Sequence, residues 1–405
     1  MSRRNTPDRT ELVEKIKSAV NRQFLLEVLR SLVQANSENP PGLELEAANV
    51  ARRRLEEIGC WRIDTYEEIQ GRPNVLGWWG KSEGPTLVLN GHLDVVPAGD
   101  PASWSHPPYE AVVEGDRVYG RGTSDMKSGI ASMIGAVAAL GAADIDIPGR
   151  ICFQLVSDEE SAGTHGTGFL ARQGLLQGDG AIVAEPTSLM IGIGERGALW
   201  AKIRAFGKSA HGSVPRQGIS AVEKIAKVVL RLHGKEFGSG HPLFGKPALN
   251  VGTVRGGEKV NMVPDYAECE VDRRLVPGET KEEVLRQIEV ELAAIKAEDP
   301  EADFDLEVIQ FAEASEQPKD SPIVAAVARA VEDVIGGPAE YYVSPGSSDA
   351  RFLRNDAGIP SVLFGPGIMA LAHTVDEWAD MGSVEAAAAV IAVAAHDFLT
   401  GLAER

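Results

Sequence analysis

The chain has 405 residues, more than one hydrophobic core usually organises, so two domains are expected. At 43% hydrophobic and 24% charged residues it is neither collagen-like nor disordered in composition. The net charge of −19 argues against nucleic acid or an anionic membrane as a partner, since both call for a basic face.

Taken in order, Leu12–Gln34 and Leu45–Ile58 carry apolar residues at helical spacing. Short apolar runs at Asn74–Trp79, Thr86–Asn90, Ile151–Val156 and Ala181–Ala184 have the length of buried strands. A Gly/Ala-rich helix over Lys127–Leu140 separates the second run from the third. From Gly194 the pattern becomes strand Ala198–Phe206, helix Ser220–Leu232, strand Ala248–Val254, strand Asp265–Leu275, helix Lys281–Lys296 and strand Phe304–Phe311. That βαββαβ order is the split-βαβ, ferredoxin-like sandwich, complete as a small domain. The α/β pattern then returns with helices Ile323–Ile335 and Ser348–Asn355, strand Ser361–Phe364 and helix Val384–Leu402. The expected fold is therefore an α/β catalytic domain, residues 1–194 and 313–405, with a central sheet flanked by helices. It is interrupted by an inserted domain, residues 195–312.

Cys60, Cys152 and Cys269 lie far apart, which excludes a disulfide framework and a cysteine zinc knuckle and suits a reducing compartment. The start, Met1–Asn5, shows no apolar leader, and apolar stretches such as Ala386–Ala395 read as too short and Ala-rich to span a bilayer. The expectation is a cytoplasmic protein with no membrane partner.

Five stretches carry chemistry. In Leu89-Asn90-Gly91-His92-Leu93-Asp94 an apolar strand ends in His and Asp two residues apart, on the same side of extended chain. A carboxylate beside an imidazole can accept its second N–H and fix the tautomer that binds metal. Asp125, in Gly120-Arg121-Gly122-Thr123-Ser124-Asp125-Met126-Lys127, precedes a helix and by itself reads most simply as an N-cap. A P-loop fails there, because Arg121 and Met126 stand where it needs Gly. Asp158-Glu159-Glu160 follows one strand and Glu185 another; three successive acids repel one another unless cations or solvent relieve them. His373 comes after a strand and the tight turn Gly365-Pro366-Gly367. Metal-binding residue types thus terminate four predicted strands of one domain, and the carboxyl ends of strands form the usual ligand crevice of α/β sheets. Two imidazoles with several carboxylates make the mixed N/O set that suits zinc. Gly192-Ile193-Gly194-Glu195-Arg196-Gly197 matches a dinucleotide fingerprint but leads into a strand, and no G-x-S-x-G occurs.

Together, in this order, the stretches resemble the metal-dependent amidohydrolases that include acetylornithine deacetylase, succinyl-diaminopimelate desuccinylase, aminoacylase and glutamate carboxypeptidase. Gly-His-Leu-Asp at 91–94 and Gly-Arg-Gly-x-x-Asp-Met-Lys at 120–127 carry most of the likeness, which extends over nearly the whole chain. The resemblance implies two divalent ions, zinc with cobalt or manganese as alternatives, bridged by Asp125. His92 and Glu185 would complete one shell, and Glu160 and His373 the other. Asp94 would orient His92, and Glu159 would be the general base that takes a proton from water. It implies a lid or dimerisation role for the inserted domain, hence a homodimer, with His211 reaching a neighbouring subunit's site to polarise the scissile carbonyl. Asn261 and Arg274 would contact the polar end of the substrate, and Ser348 and Arg351 would line the same pocket. A surface-loop histidine at 211 and an ion pair of Arg274 with Asp272 remain open alternatives. Departures from the family pattern include His106, read as a loop residue, and Ala184 in place of a common Gly. The expected activity is hydrolysis of N-acyl amino acids. A carboxypeptidase or dipeptidase acting on short peptides is the nearest rival. A non-catalytic peptide-binding module is the remote one, since no ligand or base is missing.

Overall fold

The computed structural model describes residues 9–404; the charged start Met1–Asn5, read as lacking a leader, lies outside them. The chain divides into two compact units, Met1–Ile193 with Gln317–Tyr342 and Ser348–Arg405, and Gly194–Glu316 with Val343–Ser347. The return to the first unit thus comes at Gln317 rather than 313, and the segment 343–347, expected in the catalytic domain, belongs to the second unit.

In the first unit the strands Arg150–Val156, Thr86–His92, Gly180–Val183 and Ser361–Leu363 are adjacent and parallel, in that order across the sheet. Antiparallel strands extend it on both sides: Pro73–Gly80 and Arg62–Glu67 beyond Arg150–Val156, and Ile191–Glu195 beyond Ser361–Leu363. Continuous apolar runs, rather than alternation, follow from burial on both faces: every residue of Thr86–His92 is buried. Because the four central strands are parallel, their carboxyl ends open on one edge of the sheet, where the candidate ligands were placed.

Helix Ser128–Ala142 lies closely against the end of this sheet at Gly129 and against helix Arg22–Gln34 at Gly135, because these glycines lack side chains. A Cβ on Gly129 would meet the Ala184 carbonyl oxygen at 2.0 Å, and one on Gly135 the Leu25 side chain at 2.2 Å. Helix Met381–Ala403 has the length and apolar content of a membrane span, which corrects the expectation from Ala386–Ala395. Its apolar side chains, Val384, Val390, Ile391 and Phe398 among them, are buried in the main core of this unit.

Two predicted helices differ. Leu12–Gln34 is two helices, Arg9–Ala19 and Arg22–Gln34, because Asn21 adopts extended backbone and its side chain caps the second by accepting from Phe24 N at 3.1 Å. Ser348–Asn355 is helical, but over 350–356, and its part Phe352–Asp356 is wound more widely, as a π-helix.

The second unit holds an antiparallel sheet in the order Leu249–Gly256, Tyr266–Leu275, Gly197–Phe206, Asp303–Ala312. Helices Ala221–Leu232 and Lys281–Glu298 share its core, through Ile225 and Val228 from one and Val284 and Ile288 from the other. Strand Tyr266–Leu275 alternates in burial, as a sheet covered on one face requires. The glycines of Gly192–Gly197 sit in strands, so no helix N-terminus exists there to hold a pyrophosphate.

Candidate metal centre

His92 ends its strand buried, with Nδ1 2.9 Å from the main-chain oxygen of Asp94. A carbonyl can only accept, so Nδ1 carries the proton and Nε2 points at Asp125 Oδ1, 3.1 Å away. The expected orienting role of Asp94 is thereby corrected: its main chain, not its carboxylate, fixes the ring. The carboxylate stands 3.7 Å from Nδ1 and accepts instead from Glu159 N (3.2 Å), Glu160 N (3.1 Å) and Asn39 Nδ2 (2.9 Å). Asp94 therefore sets the turn that bears Glu159 and Glu160.

That turn, Glu159–Ser161, follows strand Arg150–Val156. Asp158 enters it at φ 74°, a left-handed conformation that Asp tolerates better than most residues. Its carboxylate is pinned by Arg72 Nη1 (2.9 Å) and His165 N (2.8 Å), while Arg72 also bonds the fully buried Glu44. Asp125 does not cap a helix: Asp125 and Met126 have non-helical φ/ψ ahead of Ser128–Ala142, and the Asp125 side chain turns toward the two imidazoles. Lys127, which lends this stretch its P-loop look, buries Nζ against the Ala35 carbonyl (3.1 Å), and burial pushes it down to about 7.

The five proposed ligands gather. Ligand atoms of His92, Asp125 and Glu160 lie within 4.8 Å of one another. His373 Nε2 is 3.0 Å from Glu160 Oε2 and 3.6 Å from Asp125 Oδ2. Glu185, just beyond strand Gly180–Val183, is buried with Oε1 lacking a hydrogen-bond partner among the described residues, and its charge acts on Asp125, His92 and Glu160. Glu159 stands beside them, Oε2 3.9 Å from His92 Nε2.

The electrostatics are those of a site built for cations. Burial, then the charges of Glu185, Glu160 and Asp349, holds the Glu159 carboxyl well above its usual range. Burial and the Asp125 charge do the same to Glu185, and burial raises Glu160. Burial opposes charging of His92, but its hydrogen bond to Asp125 and the charges of Glu159, Asp125 and Glu185 outweigh it and raise its pKa well above normal. The Glu160 hydrogen bond raises His373. Buried carboxylates this close repel one another without positive charge between them. The orphaned Glu185 oxygen and the mixed N/O donors fit divalent ions.

Other candidates are placed differently. Arg351 is buried and donates to the main-chain oxygens of Ser348 (3.0 Å) and Ala162, lying over the Phe352 ring at 4.2 Å. It braces the end of the Glu159 turn. Ser348 is also buried, its Oγ accepting from Ala350 N at 3.2 Å. In the second unit, His211 is exposed, its Nδ1 2.8 Å from Ser213 Oγ, and Asn261 accepts from Gly212 N at 2.8 Å. Arg274 forms the ion pair with Asp272 at 2.9 Å and donates to the Pro345 carbonyl at 3.2 Å. His106 stays a loop residue, its ring packed at a tilt against Tyr119.

Two buried carboxylates beside the cluster were not predicted. Asp349 acts electrostatically on Glu159 and Glu185, and is pushed up to about 7, mainly by burial. Glu377 accepts from the turn that carries Asp125. Neither lies at the end of a recognisable strand, so pattern alone offers no signal for them.

The sequence pattern of peptidase family M20/M25/M40 matches residues 88–397. The chain belongs to this family. Among curated family relatives, a succinyl-diaminopimelate desuccinylase of Paracoccus denitrificans is 33% identical over 329 residues, covering 78% of this chain and 83% of that protein. An M20 metallo-carboxypeptidase of Sulfolobus solfataricus superposes with TM-score 0.78 at 18% identity, over 93% of this chain and 99% of the other. A Bacillus subtilis protein described as a dinuclear metal binding peptidase of the M20 family gives TM-score 0.71 at 19% identity, over 94% and 98%. This chain is an M20 enzyme, a hydrolase of amide bonds.

Proposed function

We propose that this M20 enzyme removes a short acyl group from an N-acyl amino acid, using two divalent ions, zinc with cobalt or manganese as alternatives. The observation that carries the two-ion reading is the divided carboxylate of Asp125. Oδ1 faces His92, and Oδ2 faces His373, which is itself against Glu160. Asp125 would then be shared between two cation positions, which His92 with Glu185 and Glu160 with His373 would complete. Ions held there supply Lewis acidity toward a carbonyl and make water a nucleophile near neutral pH.

The chain's own residues do the rest. Glu159 is not needed as a ligand, and its carboxylate takes the proton of the attacking water and returns it to the leaving amine. Asp94 holds the Glu159 turn through two main-chain amides, which keeps that carboxylate beside the cluster. Desuccinylase relatives at 31–33% identity favour an acyl group ending in a carboxylate. The metallo-carboxypeptidase of the same fold keeps peptide cleavage as the second reading.

Amine release should be measured over N-succinyl and N-acetyl amino acids alongside dipeptides. Hydrolysis of the acylated amino acids with dipeptides inert is the expected result, and cleavage of dipeptides alone would reverse the order of the two readings. We read the protein as a cytoplasmic homodimer, the free thiols suiting a reducing compartment and exposed His211 being available to a second copy. A fully active monomer in sedimentation velocity would remove His211 from the mechanism.

A further inference from the structure

Glu377 is fully buried, yet its two oxygens meet donors from one turn. Oε2 accepts from Arg121 Nη1 (2.6 Å) and Gly122 N (3.0 Å), and Oε1 from Ser124 N (2.8 Å) and Asp125 N (3.0 Å). The turn needs such a partner. Asp125 and Met126 depart from helical φ/ψ, so the following helix does not by itself fix the direction of the Asp125 side chain.

The two chain segments are joined along their length. Gly120 N donates to the Glu377 carbonyl (2.9 Å), Arg121 Nη1 to that of Thr374 (3.1 Å), and strand Trp378–Asp380 pairs with Arg117–Tyr119. On the same stretch, Ile368 N donates to Ser124 Oγ (2.7 Å), which in turn donates to the Ile368 carbonyl (3.0 Å). His373 stands between these contacts and Glu377. Asp125 and His373, 248 positions apart in sequence, are thus held as one body, with Glu377 at its centre.

We propose that Glu377 is a positioning residue: its carboxylate, clamped on the amides of Ser124 and Asp125, sets the Asp125 carboxylate across both cation positions and registers it against His373. This role rests on the metallohydrolase reading of the site. Its own oxygens are occupied by four donors, so it acts through Asp125. The alternative is a purely structural ion pair with Arg121, and the two separate by experiment.

Metal-free protein is titrated with cobalt(II), following the visible absorption of the bound ion, with far-UV circular dichroism as the folding check. Glu377→Gln puts an NH2 group against N–H donors and should weaken cobalt binding about 10- to 100-fold and alter the spectrum. Arg121→Met keeps the three amide bonds; it should lower Tm and leave cobalt affinity and spectrum essentially unchanged. Folded Glu377→Gln that binds like wild type overturns the proposal, as does an Arg121→Met loss equal to that of Glu377→Gln. Should Glu377→Gln fail to fold, Glu377→Asp decides: its shorter carboxylate should weaken binding less, and wild-type affinity there overturns the proposal. Wild-type protein that binds no cobalt overturns the metallohydrolase reading and this role with it.

Discussion

Glu159→Gln is expected to lower kcat by about 10²- to 10⁴-fold, the usual contribution of a positioned general base, with KM and metal content near wild type. The amide copies the shape of the carboxylate and cannot take a proton. Glu159 is largely shielded from solvent, and that shielding, then the charges of Glu185, Glu160 and Asp349, holds its carboxyl high. Bound cations act in the opposite sense, so the base works between two strong and opposed influences. Because Asp94 fixes the turn through the main chain of residues 159 and 160, the substitution leaves the position of Glu160 untouched. Steady-state kinetics beside elemental analysis test this. Turnover within a few-fold of wild type would remove Glu159 as the base, and loss of metal would make it a ligand.

Stripping the metal is expected to destabilise the protein, and increasingly so as pH rises from 5 to 7.5. In the metal-free chain Glu159 and Glu185 are raised well above the ordinary carboxyl range and Asp349 to about 7. A group with a raised folded-state pKa lends stability that is complete below its unfolded pKa and disappears as pH climbs through the folded value. His92, also raised, has the same sign above its ordinary value. Carboxylates held low, such as Asp299 at about 2 through its bonds to Lys224 and Lys227, titrate below this window. The metal-free Tm should therefore fall across the range. Metal-bound protein behaves oppositely, since ions compete with protons for the same ligands and bind better as pH rises. At a hundredfold excess over Kd an ion adds about 2.7 kcal/mol, a Tm gap of several degrees. Differential scanning fluorimetry with and without zinc measures it; a gap that narrows with rising pH would contradict the account.

The parts of the site that were legible in the sequence share one geometry. His92, Glu160 and Glu185 each lie at or just past the end of an apolar run of strand length, and parallel strands bring their carboxyl ends to one edge. Asp125 and His373 became legible only alongside these, because each sits on irregular chain where a cap or a loop histidine is equally natural. What stayed hidden is contact between irregular segments far apart in sequence. The Glu377 clamp spans 252 to 256 positions and the Arg351 brace 189, and no local spacing encodes either. Asp94 was placed correctly beside His92, yet its carboxylate found stronger donors in two amides of another turn. In the first helix, apolar spacing runs on past the point where Asn21 breaks the backbone to cap the next one. The Ser348 segment is helical as read, but local spacing does not encode the wider π-type winding of Phe352–Asp356.

Anomalous X-ray diffraction at the zinc edge, from crystals grown with zinc, tests the shared-cation centre most directly. Two peaks flanking the Asp125 carboxylate are predicted, one coordinated by His92 and Glu185 and the other by Glu160 and His373. A single peak, or peaks that leave Glu185 or His373 uncoordinated, would contradict it.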